Sequence, residues 1–210
     1  MTLQTWLAFL VAAWLICLSP GPGVLSSVTA GMRFGFRQAL WNILGLQLGA
    51  LVVLAIVGVG MGALLATSVT AFTAIKWCGA LYLIFLGVQQ WRAPAQPLTP
   101  DSAALPTRAS KGTLVLRGFL VNVSNPKGIL FTAAVLPQFI TTQAPQLPQY
   151  LTVVATMVPV DVACMTGYTV LGVRALKLLR NPDAIRWSNR AFGSLFIGAG
   201  VALAAFKRGV

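Results

Sequence analysis

Two ionisable side chains, Lys127 and Asp161, lie inside long apolar stretches of the sequence. Each costs about 2.5–3.5 kcal/mol at the centre of a membrane helix, so such residues generally pair, face the bundle interior or serve transport. Asp161 is the one acid in any apolar stretch. We predict that it meets a substrate ammonium group or carries a coupling proton. A structural ion pair between Asp161 and Lys127 is the alternative.

A pentapeptide that begins with Ser and ends with Gly interrupts two apolar stretches, half a chain length apart. The two copies are Ser19-Pro20-Gly21-Pro22-Gly23 and Ser124-Asn125-Pro126-Lys127-Gly128. Proline removes a backbone donor and clashes with the preceding turn, so each copy is predicted to break a helix. Each copy also has the form of a helix start, with Ser19 or Asn125 as N-cap and Pro20 or Pro126 at the first helical position.

Two helix N-termini that meet inside a membrane protein would form an anion site suited to a carboxylate, because their N–H groups and dipoles point at the same place. A simple kink is the alternative, since membrane helices tolerate proline. Two breaks in corresponding places of two halves favour the functional interpretation.

Polar residues in the second and fifth apolar stretches add candidates. Gln47, Asn42 and Thr166 either line a polar pathway or bond across helices. Of the three, Gln47 is the candidate for substrate contact. Lys76 lies close enough to an interface to extend its amine into water. Gly45 and Gly49 are spaced to permit close helix packing.

Composition predicts the helices that hold these residues. The chain has 210 residues, of which 57% are hydrophobic and 9% charged, against about 25% charged in a soluble domain. A cytosolic enzyme and a disordered tail are thereby excluded. A helix needs roughly 20 apolar residues to cross the hydrocarbon core, and six such stretches with their connections fill the chain.

The predicted fold is therefore an all-α integral membrane protein of six transmembrane helices. We expect a single membrane domain over 1–210, with repeat one at about 1–92, a proline-containing linker at about 93–113 and repeat two at about 114–210. Because three spans per repeat is an odd number, the second repeat is inverted in the membrane. Helices 1 and 4 are predicted to be broken at the midplane.

The net charge of +12 indicates cytoplasmic loops rather than nucleic-acid binding. The basic residues after the first, third and fifth spans are Arg33, Arg37, Arg92, Arg108, Lys111, Arg117, Arg174, Lys177, Arg180, Arg186 and Arg190; those on the other side are Lys76, Lys207 and Arg208. By the positive-inside rule both termini face away from the cytoplasm. The first apolar stretch lacks a basic region before it and is expected to be retained rather than cleaved.

Metal and cofactor chemistry has little support in the sequence. There is no His, and Cys17, Cys78 and Cys164 all lie in apolar stretches, where cysteine packs as a small hydrophobe. We therefore expect no metal site and no cofactor. A membrane-embedded enzyme would need a nucleophile with a base or a metal, which these residues do not provide.

The two pentapeptides resemble those of the LysE/RhtB amino-acid exporters. The resemblance extends over essentially the whole chain. It includes Gly79-Ala80-Leu81-Tyr82-Leu83 with Gly87, Leu136-Pro137-Gln138-Phe139 after the second pentapeptide, and the closing stretch from Arg186-Trp187 through Gly193 to Gly200.

The resemblance implies an exporter in the bacterial inner membrane that takes homoserine, threonine, leucine or similar substrates, driven by the proton gradient. Lysine and arginine exporters of the wider family carry an acid in the second span; this chain has Gln47 there, which disfavours basic substrates. The expected partners are an amino acid, protons and the lipid bilayer, and the glycine-rich faces would suit a homodimer. A structural or assembly subunit without transport activity remains the alternative.

Overall fold

The computed structural model describes residues 1–65, 69–94, 109–141 and 143–205, and every regular element among them is a helix. The bounds of the helices are α1 Leu3–Leu18, α2 Pro22–Phe34, α3 Phe36–Leu65, α4 Val69–Arg92, α5 Lys111–Val123, α6 Pro126–Phe139, α7 Gln146–Arg180 and α8 Pro182–Ala205. The prediction of an all-α integral membrane protein is thus confirmed. Most of the predicted linker lies outside the described residues.

The two pentapeptides separate α1 from α2 and α5 from α6. The first pair is bent by 56° and the second by 57°, and each pair is long and apolar enough to be one broken membrane span. The predicted breaks at Ser19–Gly23 and Ser124–Gly128 are therefore present. Their depth in the bilayer stays a prediction.

Two unbroken helical segments of the described chain are long and apolar enough to cross a membrane, Phe36–Gly60 and Gln146–Gly172; with the two bent pairs there are up to four such spans. The second segment ends at Gly172, where the backbone of α7 leaves the helical conformation. The helices α4 and α8 have 24 residues each. The count of six spans and the inverted repeat stay predictions.

Glycines allow α3 to lie directly against α5. A Cβ on Gly45 would be 2.0 Å from the Val115 carbonyl oxygen, and one on Gly118 would be 2.1 Å from the Asn42 carbonyl oxygen. Only glycine permits backbones to approach so closely. Gly49 likewise faces the backbone of Phe119, so the predicted packing role of Gly45 and Gly49 is confirmed.

Side-chain amides add hydrogen bonds to the same interface. Asn42 donates to the Leu114 carbonyl at 3.3 Å and accepts from the Ser26 hydroxyl at 3.1 Å, and Asn122 donates to the Leu46 carbonyl at 2.6 Å. Of the two roles predicted for Asn42, bonding across helices is the one observed. The interface holds α3 firmly beside the second break, where Asn125 and Lys127 lie.

Candidate functional site

A cavity of about 110 Å³ lies between the two breaks and the middle of α3 and α7. Six of the helices contribute to its wall. The lining residues that the sequence singled out are Ser19, Gly21, Gly23, Gln47, Asn125, Lys127, Gly128 and Asp161. Since a water molecule needs about 10–15 Å³ of such volume, the cavity has room for several waters or a small polar solute.

Apolar side chains form most of the rest of the wall. Those from α3, α6 and α7 include Leu51, Leu54, Phe131, Met157 and Val158. An apolar enclosure with a few convergent polar groups is the usual composition of a small-molecule site.

The first break does not start its helix where the sequence predicted. Ser19 is the C-cap of α1, in an extended conformation, and α2 begins at Pro22 after the N-cap Gly21. The prediction of Ser19 as N-cap and Pro20 as first helical residue is therefore wrong. The reason is that a residue before proline avoids the helical region, so Gly21 is forced to be extended by Pro22.

The second break starts its helix as predicted. Asn125 is the N-cap of α6, Pro126 is the first helical residue, and the Asn125 side chain accepts a hydrogen bond from the Lys127 N–H at 3.1 Å. Gly23 in α2 and Gly128 in α6 line the cavity near these starts. Helix first turns carry N–H groups without intrahelical partners, and the bare glycine backbones leave them accessible.

Lys127 joins the two breaks. Its ammonium donates to the Ser19 carbonyl oxygen at 3.3 Å and also to the Ser19 hydroxyl oxygen. The cation is thus held at the C-terminal end of α1, where carbonyl groups are unpaired and the helix dipole is negative. The same ammonium lies 5.9 Å from the centre of the Phe196 ring.

Asp161 lies on the α7 side of the cavity, and its Oδ2 accepts a hydrogen bond of 2.5 Å from Gln47 Nε2 on α3. The Cys17 thiol on α1 also contacts this carboxyl group. Asp161 and Lys127 do not form the ion pair that was the structural alternative, since the one ion pair among the described residues is Arg186–Asp183. Opposite charges therefore line one cavity without neutralising each other directly.

The remaining predicted site residues lie beside the cavity rather than in its wall. Pro22, Ser124 and Pro126 are exposed, and Pro20 is partly buried. The Ser124 hydroxyl donates to the Leu120 carbonyl within its own helix at 2.6 Å. Their part in substrate binding stays a prediction. In the structure the prolines shape the two breaks.

Several cavity residues were not singled out as site residues from the sequence, among them the polar residues Cys17, Asn122 and Thr132. Cys17 was interpreted as a packing residue, and nothing in its local sequence points to Asp161, which is 144 positions away in the printed chain. Asn122 lines the cavity from the last turn of α5. An amide one turn before the second pentapeptide was a signal that could have identified it. The side chain of Lys76 lies outside the described part.

Known proteins resemble this chain along nearly its full length. The model of the LysE type translocator family matches residues 14–206. The homoserine/homoserine lactone efflux protein of Salmonella typhimurium is 43% identical over 207 residues, which cover 99% of both chains. An uncharacterized membrane protein of Vibrio cholerae is 41% identical over 207 residues, or 99% of this chain and 100% of that one. No solved structure matches the chain.

Proposed function

The chain belongs to the LysE-type translocator family, and from that premise we propose that it exports a neutral amino acid from the cytoplasm in exchange for protons. The proposed substrates are homoserine, threonine, leucine or close derivatives. A relative that shares 43% of its residues is named for efflux of homoserine and its lactone, which makes homoserine the first substrate to test.

The observation that carries the proposal is that a cation and a carboxylate line one cavity without pairing with each other. Lys127 and the starts of α2 and α6 contribute positive charge and N–H groups, and Asp161 contributes negative charge. An amino-acid zwitterion has the matching arrangement. We assign its carboxylate to Lys127 and the N–H groups near Gly23 and Gly128, and its ammonium to Asp161.

Substrate charge is restricted by the same groups. Among the described residues, the carboxylate that lines the cavity is Asp161, and Lys127 adds a basic group. A lysine or arginine substrate would bring a second cation for which no further acid is offered, and like charges in a low-dielectric cavity repel. Gln47 can bond to an ammonium or hydroxyl group without adding charge.

Alternating access is proposed to follow from the two repeats. Helix pairs that are equivalent in the two halves pack against each other, α3 with α7 and α4 with α8. Contacts of this kind are compatible with a pseudo-two-fold axis through the cavity, about which one repeat can rock against the other. Substrate leaves on the outer side and a proton returns on Asp161.

The setting is proposed as the bacterial inner membrane with both termini outside the cytoplasm, because the basic residues concentrate on the opposite side. A homodimer is proposed as the assembly. The transport cycle as proposed does not need the homodimer, since the cavity is built from one chain.

Asp161→Asn tests the proposal most directly. In proteoliposomes that contain labelled homoserine, wild-type protein should drive efflux when a pH gradient is imposed, and the variant should fall to the level of empty liposomes. Asp183→Asn is the matched control because Asp183 is exposed at the start of α8, paired with Arg186 and away from the cavity. Membrane insertion of both variants should equal wild type.

Proton-driven efflux by Asp161→Asn at the wild-type rate would contradict the assignment of the proton to Asp161. Wild-type protein that moves none of a panel of labelled neutral amino acids, even in counterflow, would instead support a structural or assembly subunit.

A further inference from the structure

Only one of the two polar atoms of the Gln47 side chain has a hydrogen-bond partner in the structure. The residue is 6% exposed, and its Nε2 is bonded to Asp161. Its carbonyl oxygen Oε1 is buried and has no hydrogen-bond partner, although the side chain lines the cavity. Buried polar atoms in native proteins are almost always paired, so the unpaired oxygen of a residue that lines the cavity is free to accept from a donor such as a water molecule or a substrate ammonium group.

The charge of Asp161 dictates which end of the amide faces the cavity. An ionised carboxylate only accepts hydrogen bonds, so Gln47 must turn its NH₂ group toward Oδ2 and its carbonyl away. A protonated Asp161 gains an O–H donor and keeps an acceptor oxygen, and this new donor becomes able to pair with Oε1 once the amide has turned over. The terminal torsion of glutamine is broad and roughly two-fold, so this rotation needs no movement of α3.

We propose that the Gln47 amide converts the protonation state of Asp161 into the polarity of the cavity wall. With Asp161 ionised, Gln47 presents an acceptor that binds the substrate ammonium; with Asp161 protonated, it presents a donor that repels the ammonium. The inference rests on the proposed proton-coupled export. It explains how protonation of Asp161 is coupled to release of the substrate at that site.

The proton balance is simple. On the outer side the substrate leaves with its ammonium intact, and a proton from the medium forms an O–H bond on Asp161 Oδ2. On the cytoplasmic side that bond breaks, the proton enters the cytoplasm, and the amide turns back to offer Oε1 to the next substrate. No other bond forms or breaks.

Three other titratable groups surround the pair. Cys17 on α1 contacts the Asp161 carboxyl group, and Cys164 lies nearby on α7. Lys127 on α6 is held by Ser19. A neutral thiol can bond to the carboxyl group in either proton state. Gln47 is hydrogen-bonded to Asp161, whereas Lys127 is bonded to Ser19, so Asp161 is the group whose change Gln47 follows.

The experiment measures the half-saturation constant for homoserine exchange at equal pH on both sides of the liposome, over a series from mildly alkaline to mildly acidic. Wild-type protein should lose affinity as the pH falls. Gln47→Met, which keeps the volume but cannot bond, should lose about tenfold in affinity at alkaline pH, roughly the value of one hydrogen bond to a charged group, and little at acidic pH.

Gln47→Glu should change the affinity for homoserine at the acidic end of the pH series. When a carboxyl pair holds one proton, an oxygen of residue 47 still faces the cavity as an acceptor, so homoserine should bind about tenfold more tightly than to wild type at acidic pH. The control is Gln90→Met, which removes an amide bonded to Asn189 between α4 and α8, outside the cavity; its profile should follow wild type.

Parallel curves, in which both variants at position 47 lose the same factor at every pH, would mean that Gln47 only supports the structure and would overturn the switch. Wild-type exchange without any dependence on pH would also overturn it. Failure of the proposed function looks different, because wild-type protein would then exchange no homoserine at any pH.

Discussion

The two breaks share a bend and differ in chemistry. Their angles of 56° and 57° are nearly equal. The first break offers acceptors, because Ser19 is 4% exposed and both its hydroxyl and carbonyl oxygens face the Lys127 ammonium. The second break offers a donor, the Lys127 ammonium. Asn125 takes no part in this link, since its side-chain oxygen accepts from the Lys127 backbone N–H as the cap of α6.

The two copies thus share a backbone shape but carry different side-chain chemistry. Proline is enough to bend each span, so the bend survives differences in sequence. The complementary side chains then let one break hold the other, and the resulting cavity has a charged donor at one end. Substitutions in equivalent positions should therefore have unequal effects.

Removal of the cation should have the largest effect. Lys127→Met takes away the proposed partner of the substrate carboxylate and the link to Ser19, and homoserine counterflow should fall by about a hundredfold, as expected for losing charge-assisted hydrogen bonds. Lys111→Met is the control, because Lys111 lies over the Trp41 ring at the exposed start of α5. Equal rates for the two variants would contradict the role of Lys127.

Ser19 and Ser124, which begin the two pentapeptides, test whether equivalent positions of the two breaks have unequal effects. Ser19→Ala leaves the buried ammonium with one acceptor fewer and should cost about 1–3 kcal/mol in the free energy of unfolding. Ser124→Ala removes a bond within one exposed turn and should stay within about 0.5 kcal/mol. Thermal unfolding in detergent measures both, and a larger loss for Ser124→Ala would reverse the comparison.

The caps should have a smaller effect than Ser19. Asn125→Ala removes the side-chain cap of α6 and should cost about 1 kcal/mol. Gly21 caps α2 without a side-chain bond, and the nearest atom to an added Cβ is Lys127 Cδ at 3.9 Å. Gly21→Asn should therefore gain a few tenths of a kcal/mol in stability. The same unfolding midpoints measure these changes, and a stabilising Asn125→Ala would refute the argument.

Much of the fold could be predicted from sequence because its signals are local. Apolar length and scarcity of charge indicate a membrane protein, and proline within an apolar stretch indicates a break. The start of α6 at Pro126 followed from the same local rules. The start of α2 did not, because two prolines compete for the first helical position and the extended conformation of Gly21 favours the later one.

The site was only partly predictable. Its charged residues could be identified because they interrupt apolar stretches, and Gln47 could be identified because it is a polar residue in such a stretch. That Ser124 would be exposed while Ser19 is buried, or that Cys17 would reach the Asp161 carboxyl group, depends on which faces of separate helices meet.

The sequence by itself determined that the chain is helical and membrane-embedded and where two of its apolar helices are interrupted. It also identified the polar groups whose burial in a membrane is unfavourable enough to indicate a function. These are properties of composition and neighbouring residues. Only the tertiary structure decided that Lys127 reaches Ser19, that Gln47 reaches Asp161 across 114 positions, and that the two charges face one cavity unpaired. Such contacts are set by the packing of α3, α6 and α7 around the breaks, and helix packing joins residues that no local pattern connects.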